Sequence, residues 1–142
     1  MLSSTCKTAI KAVIYLATCE NGEKAGIREI AGRIRASEHT VGKILQILAR
    51  EGLINSSKGP SGGFYIGRNQ LNQPLIHIVE AIDGENVFRE CGLGLSKCSA
   101  SHPCPIHDEY KTARERIEKL FRQNTLKDLC GPVSSGFAHL IG

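Results

Sequence analysis

Three cysteines and a histidine fall within seventeen residues of this chain: Cys91, Cys98, Cys104 and His107, in the string CGLGLSKCSASHPCPIH. Thiolate sulfur is the usual ligand of iron–sulfur clusters, and imidazole can replace part of it. Three sulfurs and one ring nitrogen also suit tetrahedral zinc, although the usual zinc knuckle, two cysteines separated by two to four residues, is missing. A third chemistry needs no metal: two of the thiols join as a disulfide under oxidant. A loop lets the three sulfurs converge. A helix opening at Pro105 would place His107 one turn in and fix its direction.

The other three cysteines, Cys6, Cys19 and Cys130, read as structural or incidental. Cys6 stands near the start of the first helix, and a small buried residue is its simplest reading. His102 lies in the same loop as the cluster of cysteines, while His77 and His139 have no partner pattern. The opening segment, MLSSTCKTAIKAVIYLA, lacks a basic start and a long apolar block with a cleavage site. No apolar run approaches the ~20 residues of a membrane span. The expectation is a cytoplasmic protein with no membrane partner. In that setting six cysteines point to metal or redox chemistry more than to a disulfide framework.

The elements that must position these donors follow from periodicity. Residues 4–19 carry Ala9, Ile10, Val13, Ile14, Leu16 and Ala17 at helical spacing, closed by Asn21-Gly22. GIREIAGRIRA is a short helix with Ile27, Ile30, Ala31 and Ile34 on one face. Ser37 is the expected N-cap of a third helix with Val41, Ile44, Leu45 and Leu48 inward, ended by Gly52. LINSS and GFYIG then form a hairpin around KGPSG. LIHIVEAID is a further helix, and 85–105 is loop. Pro105 to Asn124 is a long helix, with Pro in its first turn and Asp108 and Glu109 at its positive end. On it Ile106, Tyr110, Ala113, Ile117, Leu120 and Asn124 alternate four- and three-residue steps, a coiled-coil-like seam. Thr125 caps a last turn, LKDLC, ahead of a Gly/Ser-rich tail.

The fold class is therefore mainly α with a small β-hairpin wing: a winged helix-turn-helix plus a long C-terminal dimerisation helix. The expected division is residues 1–83 for DNA binding, 84–105 as a cysteine-bearing sensor loop, 106–130 as the dimerisation helix and 131–142 as tail. Charge agrees: residues 1–70 hold ten Lys and Arg against five Asp and Glu, residues 71–142 eight against nine. A basic first half suits a polyanion. Ser37, His39, Thr40 and Lys43 face outward at the start of the third helix, where base edges are read. Gly42 either permits close backbone approach to DNA or is merely tolerated. Lys58, Gly59, Pro60, Ser61 and Gly62 form the wing tip, with the lysine at the minor groove. Arg28, Arg33, Arg35 and Arg50 are phosphate-contact candidates.

Taken together, these residues resemble the Rrf-two-type bacterial winged-helix transcription regulators, whose branches include IscR, NsrR and CymR. The likeness runs from Leu2 to about Leu129. It is carried by TAIKAVIYLA, by IREIAGRIRASEHTVGKILQILAREGLINSSKGPSGGFYIGR, by IHIVEAIDG, and by the cysteine loop followed by PCPIHDEYKTARERI. KGPSGGF and PCPIH are its specific parts. The resemblance implies a two-fold dimer built on the long helix. In the IscR-like pattern Cys91, Cys98, Cys104 and His107 hold a [2Fe–2S] cluster. The first gap here has six residues where that pattern has five. In nitric-oxide-sensing relatives a carboxylate near the start of the first helix of the partner completes the cluster; the corresponding position here is Lys7, which cannot ligate while protonated. Other relatives keep no cluster and respond to cysteine metabolites or a partner enzyme.

No Ser/His/Asp or Cys/His arrangement with a pocket, no phosphate loop and no paired carboxylates mark an enzyme. The expected function is a homodimeric regulator of double-stranded promoter DNA that senses iron–sulfur status, nitric oxide or redox through a cluster. The alternative is a metal-free thiol or metabolite-responsive regulator on the same fold.

Overall fold

A computed structural model describes residues 1–142, the side chain of Asn21 excepted. Helix α1 spans Ser4–Thr18, followed by a short 3-10 turn at Glu20–Gly22. Next come α2 (Ile27–Ile34), α3 (Glu38–Arg50), strands β1 (Asn55–Ser57) and β2 (Gly63–Tyr65), and the single turn α4 (Arg68–Leu71). The chain ends with α5 (Ile76–Asp83), α6 (His107–Gln123) and α7 (Leu126–Ser134). This is the winged helix-turn-helix with a long C-terminal helix.

Local chemistry sets the boundaries. The Ser3 hydroxyl accepts from the Cys6 amide at 3.0 Å, and the Ser37 hydroxyl accepts from the Thr40 amide at 3.1 Å. Each satisfies an amide that the first helical turn leaves open. Arg35 takes the left-handed conformation (φ 53°) between α2 and α3, which makes the turn of the helix-turn-helix. Gly52 (φ 75°) ends α3, and the Leu53 amide reaches back to the Leu48 carbonyl. The hairpin pairs Asn55 with Tyr65, Ser56 with Phe64 and Ser57 with Gly63. Ala25 bonds Phe64 on its other side, adding a fragment of a third strand.

One apolar cluster holds the head together. It joins Ala9, Ala12, Val13 and Leu16 of α1 to Ile30 and Ile34, to Val41, Ile44, Leu45 and Leu48, and to Ile54, Ile66 and Ile78. Leu126 of α7 completes it. A second cluster of Cys6, Ile76, Val79, Val87 and Phe88 lies where α1, α5 and the following loop meet. Phe121 of α6 packs on it, 5.7 Å from Phe88 between ring centroids. The far end of α6 is tied to the head by main chain as well. The Leu75 amide donates to the Asn124 carbonyl at 3.0 Å, and the Leu126 amide to the Gln73 carbonyl at 3.1 Å. Arg122 bridges Glu118 and Glu80 across the same junction.

Three details differ from the sequence expectation, and a fourth decides between its alternatives. Helix α6 opens at His107, so Pro105 lies outside it and His107 is its first residue rather than one turn in. Helix α7 runs nine residues and takes in Gly131 and Pro132, because Leu126 and Leu129 pack on the head and outweigh their poor propensity. Helix α4 has no apolar period; Gln70 organises it by bonding Gly52, Asn55 and the Gly67 amide. Gly42 is buried facing Ile27, where an added Cβ would make ordinary contact at 3.4 Å, so it does not face DNA and is merely tolerated. No helix among the described residues is long and apolar enough to cross a membrane.

Two glycines give opposite signs. A Cβ on Gly63 would lie 2.9 Å from the Ala25 carbonyl oxygen, whereas one on Gly32 meets nothing within 4 Å in the exposed face of α2. Gly63→Ala is expected to lower stability by about 1–3 kcal/mol. Gly32→Ala is expected to raise it by about 0.5–1 kcal/mol. Urea unfolding of the two variants beside the parent checks both.

Candidate functional site

The reading head presents one polar surface. Helix α3 buries Val41, Ile44, Leu45 and Leu48, which leaves Ser37, His39 and Lys43 exposed and Thr40 half-buried. Ser37 and Thr40 also bond each other at 2.8 Å, so both hydroxyls serve the cap as well as the surface. Arg28, Arg33, Arg35 and Arg50 are all exposed. In the wing, Lys58, Gly59, Pro60 and Ser61 are exposed and Gly62 is half-buried. The tip closes with the Gly62 amide donating to the Gly59 carbonyl at 2.9 Å. A Cβ on Gly62 would sit 2.2 Å from the Ser57 carbonyl oxygen, so this turn demands glycine. A groove of about 470 Å³ runs between wing and helices, lined among others by Gln46, Lys58 and Gly63. Gln46 was missed by sequence reasoning. Its signal was available: it stands three residues beyond Lys43 on the outward face of α3.

The cysteine segment folds against the start of α6. Cys91, Cys104 and His107 are buried and Cys98 is half-buried. The His107 amide bonds the Cys104 carbonyl at 3.0 Å, a turn that carries both side chains to one side. Cys98 Sγ lies 3.5 Å from His107 Nδ1. Cys91 and Cys104 are neighbours whose thiols influence each other's ionisation. Of the four donors, Cys98 and His107 form the one contact pair. Among the described residues, no three His, Cys, Asp or Glu side chains are gathered as they would be around a single metal ion.

Cys91 and Cys104 are electrically uneven. Backbone amides at Leu93 and Leu95 point at Cys91 and hold its thiol below the usual range, helped by Cys104. Burial pushes Cys104 up, and the neighbouring Cys91 and Cys98 add to it. A cavity of about 720 Å³ beside this loop is lined by Arg89, Glu90, Cys91, Lys97 and Cys98 among others. Arg114, two turns beyond His107 on the same face of α6, is buried and places Nη1 3.5 Å from Cys98 Sγ. Sequence reasoning missed it too. The seven-residue step from His107 was its signal.

The remaining candidates lie apart. Cys6 is fully buried in the second apolar cluster, and burial, with Asp83 nearby, raises its thiol to about 12. Cys19 and Cys130 are half-buried elsewhere, and all six cysteines are free thiols. His77, His102 and His139 are exposed, as is Lys7. Along α6, Ile106, Ala113, Ile117 and Leu120 form an exposed stripe, with Leu120 at 50%. Tyr110 departs from that stripe: it is half-buried with its ring against Gly92, where a Cβ would lie 2.7 Å away.

A family model for Rrf2, described as an iron-dependent transcriptional regulator, matches residues 2–132. The chain belongs to the Rrf2 family. Among its relatives is the HTH-type transcriptional regulator NsrR of Geobacillus kaustophilus, 28% identical over 136 residues, covering 90% of this chain and 88% of that protein. Two solved structures share the fold. The cysteine regulator CymR of B. subtilis has a TM-score of 0.72 at 18% identity, over 92% of this chain and 96% of that one. IscR of T. potens has 0.68 at 17%, over 97% and 91%. This Rrf2 protein is thus a DNA-binding transcription regulator and not an enzyme.

Two of the three loop thiols, Cys91 and Cys104, are expected to ionise in a fixed order. Accepted hydrogen bonds favour the thiolate at Cys91, and burial disfavours it at Cys104, so Cys91 ionises first as pH rises. In the metal-free Rrf2 protein, the pH profile of alkylation, mapped by peptide mass, is expected to have its midpoint below the ordinary thiol value at Cys91 and above it at Cys104. Cys6 is expected to stay unlabelled until the chain unfolds.

Proposed function

We propose that this Rrf2 regulator binds promoter DNA as a homodimer and senses through a [2Fe–2S] cluster held by Cys91, Cys98, Cys104 and His107. The observation that carries the reading is the contact of Cys98 with His107. In a two-iron group each iron takes two protein ligands; Cys98 and His107 stand 3.5 Å apart, and the neighbouring buried Cys91 and Cys104 would supply the other two. The donor types fit as well: three sulfurs and one imidazole. When bound, the cluster supplies a centre sensitive to iron–sulfur supply, nitric oxide or redox.

The chain's own residues transmit that state. Cys104 and His107 flank the start of α6, so if they held the cluster the near end of the helix would be fixed. The far end is fixed by the main-chain bonds of Gln73 and Leu75 to the residues around Thr125. Ile106, Ala113, Ile117 and Leu120 on the exposed stripe form the seam with a second copy. Release of the near end shifts α6 against its partner. That alters the spacing of two reading heads, which must match half-sites about 34 Å apart. Within each head, Ser37, His39, Thr40 and Lys43 approach base edges. Lys58 and the turn Gly59–Gly62 follow the backbone or minor groove, and Arg28 reaches phosphate.

A second reading has its own support. Cys91 and Cys104 are neighbours, and Cys91 favours the thiolate, so a metal-free disulfide switch is open to this pair.

Anaerobic purification followed by the visible spectrum with iron and sulfide counts tests the first reading. Brown protein with matched iron and sulfide, colourless in the Cys91/Cys98/Cys104→Ala variant, supports it. Colourless parent protein in which peroxide joins Cys91 to Cys104 favours the second. On a promoter fragment, Lys43→Ala and Lys58→Ala are each expected to reduce the slope of log affinity against log salt by about 0.9 for every phosphate left without its lysine. Unchanged slopes would remove those lysines from the interface.

A further inference from the structure

Arg114 carries a charge that nothing in its surroundings balances. It is 6% exposed, and a guanidinium cannot shed its proton inside a protein. Its Nη1 donates to the Glu90 carbonyl and lies 3.5 Å from Cys98 Sγ. Its carbon centre stands 5.9 Å from the Tyr110 ring. None of the ion pairs among the described residues includes it. Its Nε is buried without any hydrogen-bond partner, alone in that respect among the described side-chain nitrogens and oxygens. A carbonyl and a ring face carry only partial negative charge. A buried cation normally has a full anion beside it, because lost hydration is otherwise uncompensated.

The sulfur in contact that can acquire that charge is Cys98. Cys98 in turn touches His107. Thiolate ligation of iron leaves negative charge on sulfur, and so does a bare thiolate. The seven-residue step on α6 puts His107 and Arg114 on one face, with Cys98 between their tips. The same helix thus offers a nitrogen donor and a fixed positive charge to one sulfur.

We propose that Arg114 is the counter-charge of the sulfur site: a positioning residue that presents a fixed positive charge to Cys98 and holds that side chain toward His107. For the loaded protein this rests on the cluster reading above; for the metal-free protein it does not.

The test uses the full chain with Arg114→Gln, which keeps a donor without the charge, and Arg114→Lys, which keeps the charge without the planar fork. In metal-free protein, the labelling rate of Cys98 by the dianionic dithiobis-nitrobenzoate is divided by its rate with neutral dipyridyl disulfide. The thiolate fraction cancels in that ratio. Peptide mass mapping isolates Cys98, and urea-unfolded parent gives the reference ratio. Folded parent and Arg114→Lys are expected to exceed the reference by about tenfold, and Arg114→Gln to fall back to it. The parent needs no variant to fail: a folded ratio equal to the unfolded one overturns the proposal, as does a ratio unchanged in Arg114→Gln.

In anaerobically loaded protein, Arg114→Gln is expected to retain less iron and sulfide than the parent. What it retains should be harder to reduce by about tenfold in equilibrium constant, 59 mV for one electron. Equal loading and equal potential in all three proteins overturns the proposal. A colourless parent that keeps the anionic preference sinks the cluster reading and leaves the counter-charge standing. A brown parent whose Arg114→Gln variant keeps the same preference does the reverse.

Discussion

Burial of α1 is the constraint on which the rest of the molecule depends. Its Ala9 and Ala12 are fully buried, and their small side chains let neighbouring helices approach closely. α2, α3, α5 and α7 all pack against it. The recognition helix, the wing base and the junction with α6 therefore share one apolar support. Each buried aliphatic side chain contributes about 1.5–3 kcal/mol of transfer free energy, so the shared face outweighs any single surface contact. The Ser3–Asp83 bonds close the same unit at its edge, tying the start of α1 to the end of α5.

Much of this architecture was legible in the sequence, because its signals are local. Ser37 caps α3 as its position implied, Gly52 ends that helix, and the alternating runs around KGPSG pair as a hairpin. What escaped was set by tertiary contact. Nothing in RNQL announces α4, since Gln70 makes that turn through partners 15 and 18 residues away. The extension of α7 through Pro132 depends on Leu126 and Leu129 finding the head. The surroundings of Gly42 could not be read from its own helix, because the group it faces is Ile27 on another one.

The candidate site divides in the same way. Types and spacing in 91–107 named a candidate donor set, since a Cys-x-x-His step across a helix start is a local feature. The contact between Cys98 and His107 was not visible, because it depends on how the loop folds back onto the start of α6. Arg114 and Tyr110 were hidden for a different reason. On a helix with an apolar seam, a charged residue reads as solvated and an aromatic one as part of the seam. The loop covering α6 reverses both, burying Arg114 and turning Tyr110 onto Gly92.

All four donors lie within one short stretch of chain, and none of them belongs to either apolar cluster. Closing a loop of that length costs little entropy and needs no rearrangement of the head. The segment 91–107 can therefore rearrange without disturbing the packing that holds the head together.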